Sequence, residues 1–450
     1  MAGPSSLLTP MSGEPMSEAF DKSGFFQKET LSGLAPTQLT GPIAKMFAQS
    51  KFPDAFDYST MTTSLQLLTQ FTVQALPVFH SLFSWSKIRR AHELDNQGRN
   101  IYVFPEPLDN LSADQRAWTL ARLNEMGEHL KFSMGCSERG PEATCGPRDE
   151  LDGLLGLGMR GTGSIISISD DLYQMLVNSR SDASDIIGQQ TGAFTFATTI
   201  LHELGHAAVF ASAPWDHSSH EFYLGDNGRS TEMGFEIVAW LFGGALPELE
   251  FNCGPPGHLF DNDTNQYSRV QKRMTLVEWP CPSRGLVYQF CGNPYATRGD
   301  DKTADILWNT TFLDIHKMFH DSFWNDSEIR TKGHKALFFD RTTGYMFVPQ
   351  VTSSKKNRKP LLPHPDEKFD IPAGYWMDKH GLIRKKVDKL AKIEMSKTRK
   401  VELQIRVNNI VKTETMDKDW MPLTLSEKAV AWRRKVSSNI KDKAEKRRFR

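Results

Sequence analysis

Hydrophobic and polar residues alternate along this chain in two kinds of pattern, one typical of helices and the other typical of strands. Apolar residues at helical spacing predict helices over about 60–95, 113–132, 191–212 and 230–242. Short apolar runs predict strands near 99–103 and 163–169, with a helix beginning at Asp170 after the second strand. Because helices and strands are interspersed, the expected fold class is α+β.

The remaining stretches give weaker patterns. Glycines and prolines predict a long surface loop over 134–163 and a loop-rich chain beyond residue 250. The other expected elements are a helix near 303–320, a strand near 336–348 and two surface helices, at about 382–395 and 424–445.

Three segments differ in composition. Residues 1–40 are rich in Ser, Pro, Gly and Thr and are expected to form a disordered leader. Residues 41–350 are expected to form the folded domain, and residues 351–450 a basic, mostly helical C-terminal extension. The chain has no net charge, but residues 351–450 hold 27 Lys/Arg against 13 Asp/Glu. An acidic body therefore carries a basic extension.

Composition also narrows the class of protein. A hydrophobic fraction of 39% and ten tryptophans indicate a large buried core and exclude a mainly disordered chain. The five cysteines lack paired C-x2-C spacing, so reduced thiols are expected instead of a cysteine zinc site. No secretory signal pattern is seen, and the longest apolar region, about 61–86, is interrupted by glutamines and Pro77. We therefore expect an intracellular protein, cytoplasmic or nuclear, without a membrane span.

The clearest chemical motif is His202-Glu203-Leu204-Gly205-His206, an H-E-x-x-H sequence inside the predicted helix 191–212. Side chains four residues apart lie on nearly the same helix face, so both imidazoles can reach one metal ion. Glu203 is rotated by about 100° from His202, which places its carboxylate beside the metal and not on it. The spacing is that of a base next to a metal site.

The residues around the motif help to decide between two interpretations, a metal site and a structural histidine pair. Residues on nearly all faces of this helix are apolar, so the helix is expected to be buried. Two histidines and a glutamate in a buried helix are costly without strong partners, and a bound cation supplies one. The sequence therefore favours a metal site.

A catalytic zinc usually has three protein ligands and an open position. The metzincin extension needs Gly and His where this chain has Val209 and Ser212, so that class is excluded. Glu232 and Glu236 follow in STEMGFEIVAWLFGG, on the next predicted helix. With these residues the chain resembles the gluzincins, zincin metallopeptidases in which a glutamate on the helix after H-E-x-x-H completes the zinc site.

The resemblance covers about residues 160–245 and implies a zincin-like catalytic core with a small sheet and mostly helical extensions. It implies that Glu232 is the third zinc ligand and that Glu236 hydrogen-bonds a ligand histidine. The reverse assignment stays open, because spacing alone does not separate two residues on one helix face. In zincins the strand before the metal helix often binds extended substrate at its edge, and Ile165–Ser169 is placed to do this.

The loop between the two helices holds other candidates. The third ligand could instead be Asp216, His217, His220, Glu221 or Asp226. One of the loop histidines, Tyr223 or Arg229 could donate a hydrogen bond to a developing oxyanion. The sequence does not choose among them.

These features predict a zinc-dependent hydrolase, a metallopeptidase that cleaves a peptide or protein substrate. A metal-activated water would attack the carbonyl, and Glu203 would act as general base and then protonate the leaving amine. Two alternatives stay open: a zinc hydrolase for a non-peptide amide or ester, and a catalytically inactive zincin-fold binding or scaffold protein. The basic 351–450 tail could contact nucleic acid or an acidic partner, or be a solvated surface.

Overall fold

A computed structural model describes residues 34–94, 100–135, 143–148, 157–213, 220–226, 228, 231–246, 248–252, 270–279, 305–341, 343–347, 374–377 and 382–385. The chain divides into two compact units, Met1–Lys385 and Lys386–Arg450, and the described residues all belong to the first. Helices and small sheets alternate along this unit, so the predicted α+β class is confirmed. Within the described residues, no helix has both the length and the apolar character needed to cross a bilayer.

Several of the described helices begin at a polar residue whose side chain caps them. They are α1 (Tyr58–Gln74), α2 (Leu76–Phe83), α3 (Ala113–Glu128), α4 (Asp170–Ser179), α5 (Ile186–Ser212), α6 (Met233–Phe242), α7 (Phe312–His316), α8 (Asp321–Trp324) and α9 (Ser327–Lys332). Side-chain oxygens of Asp57, Ser112 and Ser169 accept hydrogen bonds from the first turns of α1, α3 and α4. Such caps satisfy backbone N–H groups that have no partner inside the helix.

The described strands form three sheets. β1 (Arg89–Leu94) pairs antiparallel with β2 (Asn100–Phe104), which pairs parallel with β6 (His220–Leu224). In the second sheet β5 (Ser164–Ile168) pairs parallel with β3 (Leu130–Met134) and antiparallel with β4 (Ala143–Pro147). The third sheet is antiparallel in the order β11-β12-β10-β9-β8-β7, formed by β7 (Glu248–Asn252), β8 (Val270–Val277), β9 (Asp305–Asn309), β10 (Thr343–Phe347), β11 (Tyr375–Met377) and β12 (Leu382–Lys385).

Helix α5 passes through the main hydrophobic core. It is 27 residues long and packs against α1, α2, α4, α6 and α7 as well as β4 and β5. Phe194, Leu201 and Leu204 are completely buried, which agrees with the apolar residues predicted on nearly all its faces. The helix begins five residues before the predicted start, because Asp185 caps it by accepting from the Gly188 backbone N–H at 2.9 Å.

Several expected elements are wrong because distant segments pair into sheets. The expected helix over 303–320 begins instead as β9, whose residues Leu307 and Trp308 are buried in the third sheet. The expected loop over 134–163 contains β4, and the helix expected to reach 132 gives way to β3 at Leu130. A single-strand pattern cannot reveal these pairings, since the partner strands lie far away in sequence.

The predicted boundaries of the folded domain also differ from the structure. Strand β12 occupies 382–385, where a helix was expected, and it pairs with β10 across the expected boundary at 350. Within the extension 351–450 the structure describes strands 375–377 and 382–385, and the rest of it, including the expected helix at 424–445, lies outside the described residues. At the other end, Leu39 is buried and the Gln38 N–H donates to the Phe319 carbonyl at 2.9 Å. Residues 34–40 of the expected leader thus pack on the body, and residues 1–33 lie outside the described residues.

The strand expected to offer its edge to substrate is central in its sheet. β5 lies between β3 and β4, so both of its edges are already paired. The prediction for Ile165–Ser169 is therefore wrong in this respect. β4 lies at the edge of this sheet and runs along α5.

Candidate metal centre

The two histidines of the H-E-x-x-H motif direct their rings at a common point. His202 and His206 lie one turn apart on α5, and their Nε2 atoms are 3.3 Å apart. One carboxylate oxygen of Glu232, Oε2, lies 3.6 Å from Nε2 of His202 and 3.1 Å from Nε2 of His206. Three potential ligand atoms thus form a small triangle at the surface of the buried helix.

The size of this triangle fits a tetrahedral zinc site. Ligand atoms about 2.0–2.1 Å from zinc in a tetrahedron are about 3.3–3.4 Å from one another, and the three observed separations are 3.1, 3.3 and 3.6 Å. Within the described residues, His202, His206 and Glu232 are the group of three or more such side chains with this spacing. Two imidazole nitrogens and one carboxylate oxygen are a donor set that suits zinc and leaves a fourth position open.

Glu232 reaches the histidines because it precedes α6 and is not part of it. The helix was expected to begin at Ser230 or Thr231, but its first residue is Met233 and Glu232 is the N-cap. The Glu232 carbonyl accepts from the backbone N–H groups of Phe235 and Glu236, while its side chain makes no capping hydrogen bond. The carboxylate is therefore directed at the histidines.

Two glycines allow α5 and the start of α6 to approach closely here. A Cβ atom on Gly234 would lie 2.2–2.3 Å from three ring atoms of His202. A Cβ atom on Gly205 would lie 2.8 Å from the carbonyl oxygen of Met233. Real Cβ atoms do not approach other atoms so closely, so any larger residue would push the two helices apart.

Glu232 and His206 each stabilise the charged form of the other. Burial alone would raise the pKa of Glu232, but hydrogen bonds from His202 and His206 outweigh it and hold that pKa well below its usual range. Burial alone would lower the pKa of His206, but the Glu232 carboxylate outweighs it and raises the pKa. The carboxylate is thus held as an anion beside the histidines, which is the form that binds a cation.

Glu203 follows His202 directly on α5, is 6% exposed, and its negative charge raises the pKa of His206. Burial raises the pKa of the Cys145 thiol on β4, and the negative charge of Glu203 raises it further. β4 packs along α5, which accounts for this electrostatic effect. No local pattern in the sequence marked 143–147 as a strand, so the relation between Cys145 and Glu203 was not predicted.

Glu236 lies one turn into α6 and is 7% exposed. Burial raises its pKa to about 8, with a further increase from Glu106, and a hydrogen bond with Trp279 acts in the opposite direction. Its Oε1 atom has no hydrogen-bond partner within the described residues. Glu232 and not Glu236 lies beside the histidines, and the predicted hydrogen bond from Glu236 to a ligand histidine stays a prediction.

Aromatic rings cover one side of the site. The ring of Phe235 meets His202 edge to face, with centroids 4.7 Å apart, and Trp279 packs behind Phe235 at 5.4 Å. Phe235 has no chemical motif of its own and was not among the predicted site residues. These rings pack against the His202 imidazole and favour its observed orientation.

The structure describes only part of the loop that held the other candidates. Asp216, His217 and Arg229, and the side chains of His220 and Glu221, lie outside the described residues. Asp226 forms an ion pair with Arg89, and Tyr223 is 2% exposed and packs with Ile101 and Val103. Asp226 is not part of the His202, His206 and Glu232 group.

Comparison of the chain with protein-family models, with curated proteins and with solved structures gave no match. The gluzincin resemblance therefore rests on the motif residues themselves.

Proposed function

We propose that this protein is a zinc-dependent hydrolase of the zincin type, and that its reaction is the cleavage of peptide bonds. The observation that carries the proposal is the convergence of His202 Nε2, His206 Nε2 and Glu232 Oε2 within 3.6 Å of one another. These three residues would hold the metal. A zinc ion bound there supplies Lewis-acid chemistry, by polarising a carbonyl and lowering the pKa of a water molecule.

The presence of Glu203 favours a catalytic role for the metal over a purely structural one. Glu203 follows His202 directly on α5, its negative charge raises the pKa of His206, and it is not one of the three candidate ligands. In this position it can accept a proton from the attacking water and then deliver that proton to the leaving nitrogen. A structural metal site has no need of a carboxylate in this place.

The position of strand β4 favours the interpretation that the substrate is a peptide. Among the described strands β4 lies at the edge of its sheet, runs antiparallel to β5, and packs along α5, where the charge of Glu203 raises the pKa of Cys145. An extended peptide can add to such an edge through main-chain hydrogen bonds. In the zincin interpretation, β4 takes the place that the sequence assigned to Ile165–Ser169 and holds the substrate backbone across the metal site.

A comparison of wild type with Glu203→Gln tests this function. Both proteins, purified identically, would be incubated with an unfolded protein substrate and the products followed by mass spectrometry. We expect wild type to cleave and Glu203→Gln to lose at least about 100-fold in rate, since general-base catalysis contributes 10²–10⁴-fold. Both proteins should bind one zinc ion at this centre.

The same experiment discriminates among the alternatives. A wild type that binds zinc but cleaves neither protein nor a panel of amides and esters would favour the inactive scaffold. Cleavage of the small amides or esters alone would favour a non-peptide hydrolase. Equal cleavage by wild type and Glu203→Gln would reveal a contaminating peptidase and would contradict the proposal.

A further inference from the structure

A second pair of histidines has the geometry of the first pair. His316 ends α7 and His320 immediately precedes α8, with a single turn of 3-10 helix between them. Their Nε2 atoms are 3.3 Å apart, the same separation as in His202 and His206. The rings meet edge to face with centroids 4.7 Å apart, and both are half-buried. Each ring thus directs one nitrogen at a common point that solvent can reach.

A buried amide determines which nitrogen of His316 carries the proton. His316 Nδ1 lies 2.7 Å from Oε1 of Gln190, whose Nε2 donates to the hydroxyl oxygen of Thr37 at 3.1 Å. Because an amide oxygen can only accept, Nδ1 of His316 is the donor in this contact. In the neutral ring the lone pair is then on Nε2 and is directed at His320. Metal-binding histidines are usually oriented by such a hydrogen bond from the other ring nitrogen.

This pair is separate from the centre described above. Gln190 lies on α5 twelve residues before His202, which is about 18 Å along the axis at 1.5 Å per residue. The two histidine pairs share no residue. Whatever binds at His316 and His320 therefore does not depend on the first centre.

We propose that His316 and His320 bind a second divalent metal ion of the zinc and copper class through their Nε2 atoms. Imidazole nitrogen is a preferred ligand of these ions. No third histidine, cysteine or carboxylate of the described residues joins the pair, and the neighbouring Asp321 accepts a hydrogen bond from the Thr40 backbone N–H at 3.1 Å. Water completes the coordination, and the site is weaker than the three-ligand centre.

The local connections show what this ion would stabilise. The two ligands flank the turn Lys317–Phe319, and the Phe319 carbonyl accepts from the Gln38 N–H at 2.9 Å. Thr37, next to Gln38, contacts Gln190, which contacts His316. A bound ion therefore stabilises the turn on which the segment 34–40 packs.

Zinc stoichiometry in matched variants tests the proposal. Metal-stripped full-length protein would be dialysed against micromolar free Zn²⁺, and bound zinc would be measured for wild type, His320→Ala and His320→Gln. We expect each His320 variant to bind one zinc ion fewer than wild type. His129→Ala, which removes a partly exposed histidine outside both pairs, should bind as much as wild type. Unchanged zinc in both His320 variants would overturn the proposal and leave an ordinary N–H···N hydrogen bond between the two rings.

The same comparison in a His202→Ala background keeps this result independent of the proposed hydrolase. The decrease caused by His320→Ala should persist there, whether or not the first centre binds zinc. Disappearance of the decrease in that background would contradict a separate second site.

The metal affinity of Gln190 variants gives a second test, because it would not change if His316 and His320 had only a structural role. Gln190→Met removes the acceptor of the His316 N–H, and loss of such a partner weakens metal affinity about 10–100-fold. Gln190→Glu keeps an acceptor oxygen and should restore the affinity. In the His202→Ala background, where the first histidine pair is broken, electron paramagnetic resonance of added Cu²⁺ should show a signal with two nitrogen ligands that is lost when His320→Ala is added. Equal affinity of wild type and Gln190→Met would contradict the arrangement.

Discussion

A side chain on Gly234 cannot coexist with the observed position of His202, because its Cβ atom would lie 2.2 Å from the imidazole ring. The same close approach places Glu232, two residues earlier, within 3.1 Å of His206. Gly205 has the corresponding role on the opposite helix, where its hydrogen atom faces the Met233 carbonyl. The candidate metal centre therefore depends on two glycines that bind nothing themselves.

Gly234→Ala should weaken zinc binding without unfolding the protein. The added methyl group must displace the His202 ring or the start of α6, and overpacking of this kind costs about 1–3 kcal/mol. If the whole cost falls on the metal centre, the dissociation constant for zinc rises by about 5–150-fold. Isothermal titration of metal-stripped protein with Zn²⁺ would measure this change.

Gly146→Ala is the matched control for that substitution. A Cβ atom on Gly146 would meet no atom within 4 Å, although Gly146 lies on β4 near the same centre. Its zinc affinity should equal that of wild type. Equal weakening in the two variants would point to a general loss of stability and would contradict the steric explanation.

The position of the histidines and Glu203 could be predicted because it follows from local geometry alone. An H-E-x-x-H sequence in a helix fixes the relative directions of its side chains whatever the helix packs against. The burial of α5 was equally predictable, since apolar residues lie on nearly all its faces. Both predictions needed no knowledge of the rest of the fold.

The features that could not be predicted depend on contacts between distant segments. Glu232 was expected inside a helix, and its position as the N-cap depends on where α6 meets α5. β4 and β12 were missed because their sequences become strands only through pairing with β5 and β10. The second histidine pair was not singled out, although the helix expected near 303–320 would have placed His316 and His320 on one face. The contact that orients His316 comes from Gln190, which is distant in sequence.

Glu232→Gln and Glu236→Gln should differ in their effect on the first centre. Glu232→Gln removes the anionic ligand, so its loss of zinc affinity should exceed the 10–100-fold typical of an indirect partner of a metal. Glu236→Gln should change zinc affinity little, because no hydrogen bond from Glu236 to either histidine is found among the described residues. Zinc titration of the two variants would measure both effects. A loss of about 10–100-fold in Glu236→Gln would instead support its predicted hydrogen bond to a ligand histidine.

Glu236→Gln should also stabilise the metal-free protein at high pH. Burial raises the pKa of Glu236 to about 8 in the folded protein, against an ordinary value of 4.5. Above pH 4.5 the unfolded chain releases this proton but the folded protein keeps it until about pH 8, so the carboxyl group increasingly favours unfolding across that interval. The neutral amide introduced by Glu236→Gln removes this dependence of stability on pH. Urea unfolding of metal-free wild type and variant at pH 5, 7 and 9 should therefore show an advantage of Glu236→Gln that grows with pH.

Glu128→Gln is the control for this pH effect. The Glu128 side chain is 68% exposed at the end of α3, so its replacement should not produce a stability difference that grows between pH 5 and 9. A Glu236→Gln variant whose advantage is the same at all three pH values would contradict the raised pKa.

His334 should make the protein less stable in mild acid. Its ring stacks on Trp240 with centroids 3.5 Å apart, and it is 5% exposed. Burial lowers the pKa of His334 from 6.5 to about 4, and the positive charge of Lys335 adds to the effect, while Asp109 opposes it. Between pH 6.5 and 4 the unfolded chain therefore binds a proton that the folded protein does not, and the free energy of unfolding falls as the pH is lowered.

His334→Phe keeps an aromatic ring against Trp240 and removes this proton, so its stability should fall less over the same interval, by on the order of 1 kcal/mol. Urea unfolding at pH 7, 5.5 and 4.5 would measure the difference, with the partly exposed His129→Phe as control. Parallel pH profiles for wild type and His334→Phe would show that His334 is not held neutral by its surroundings.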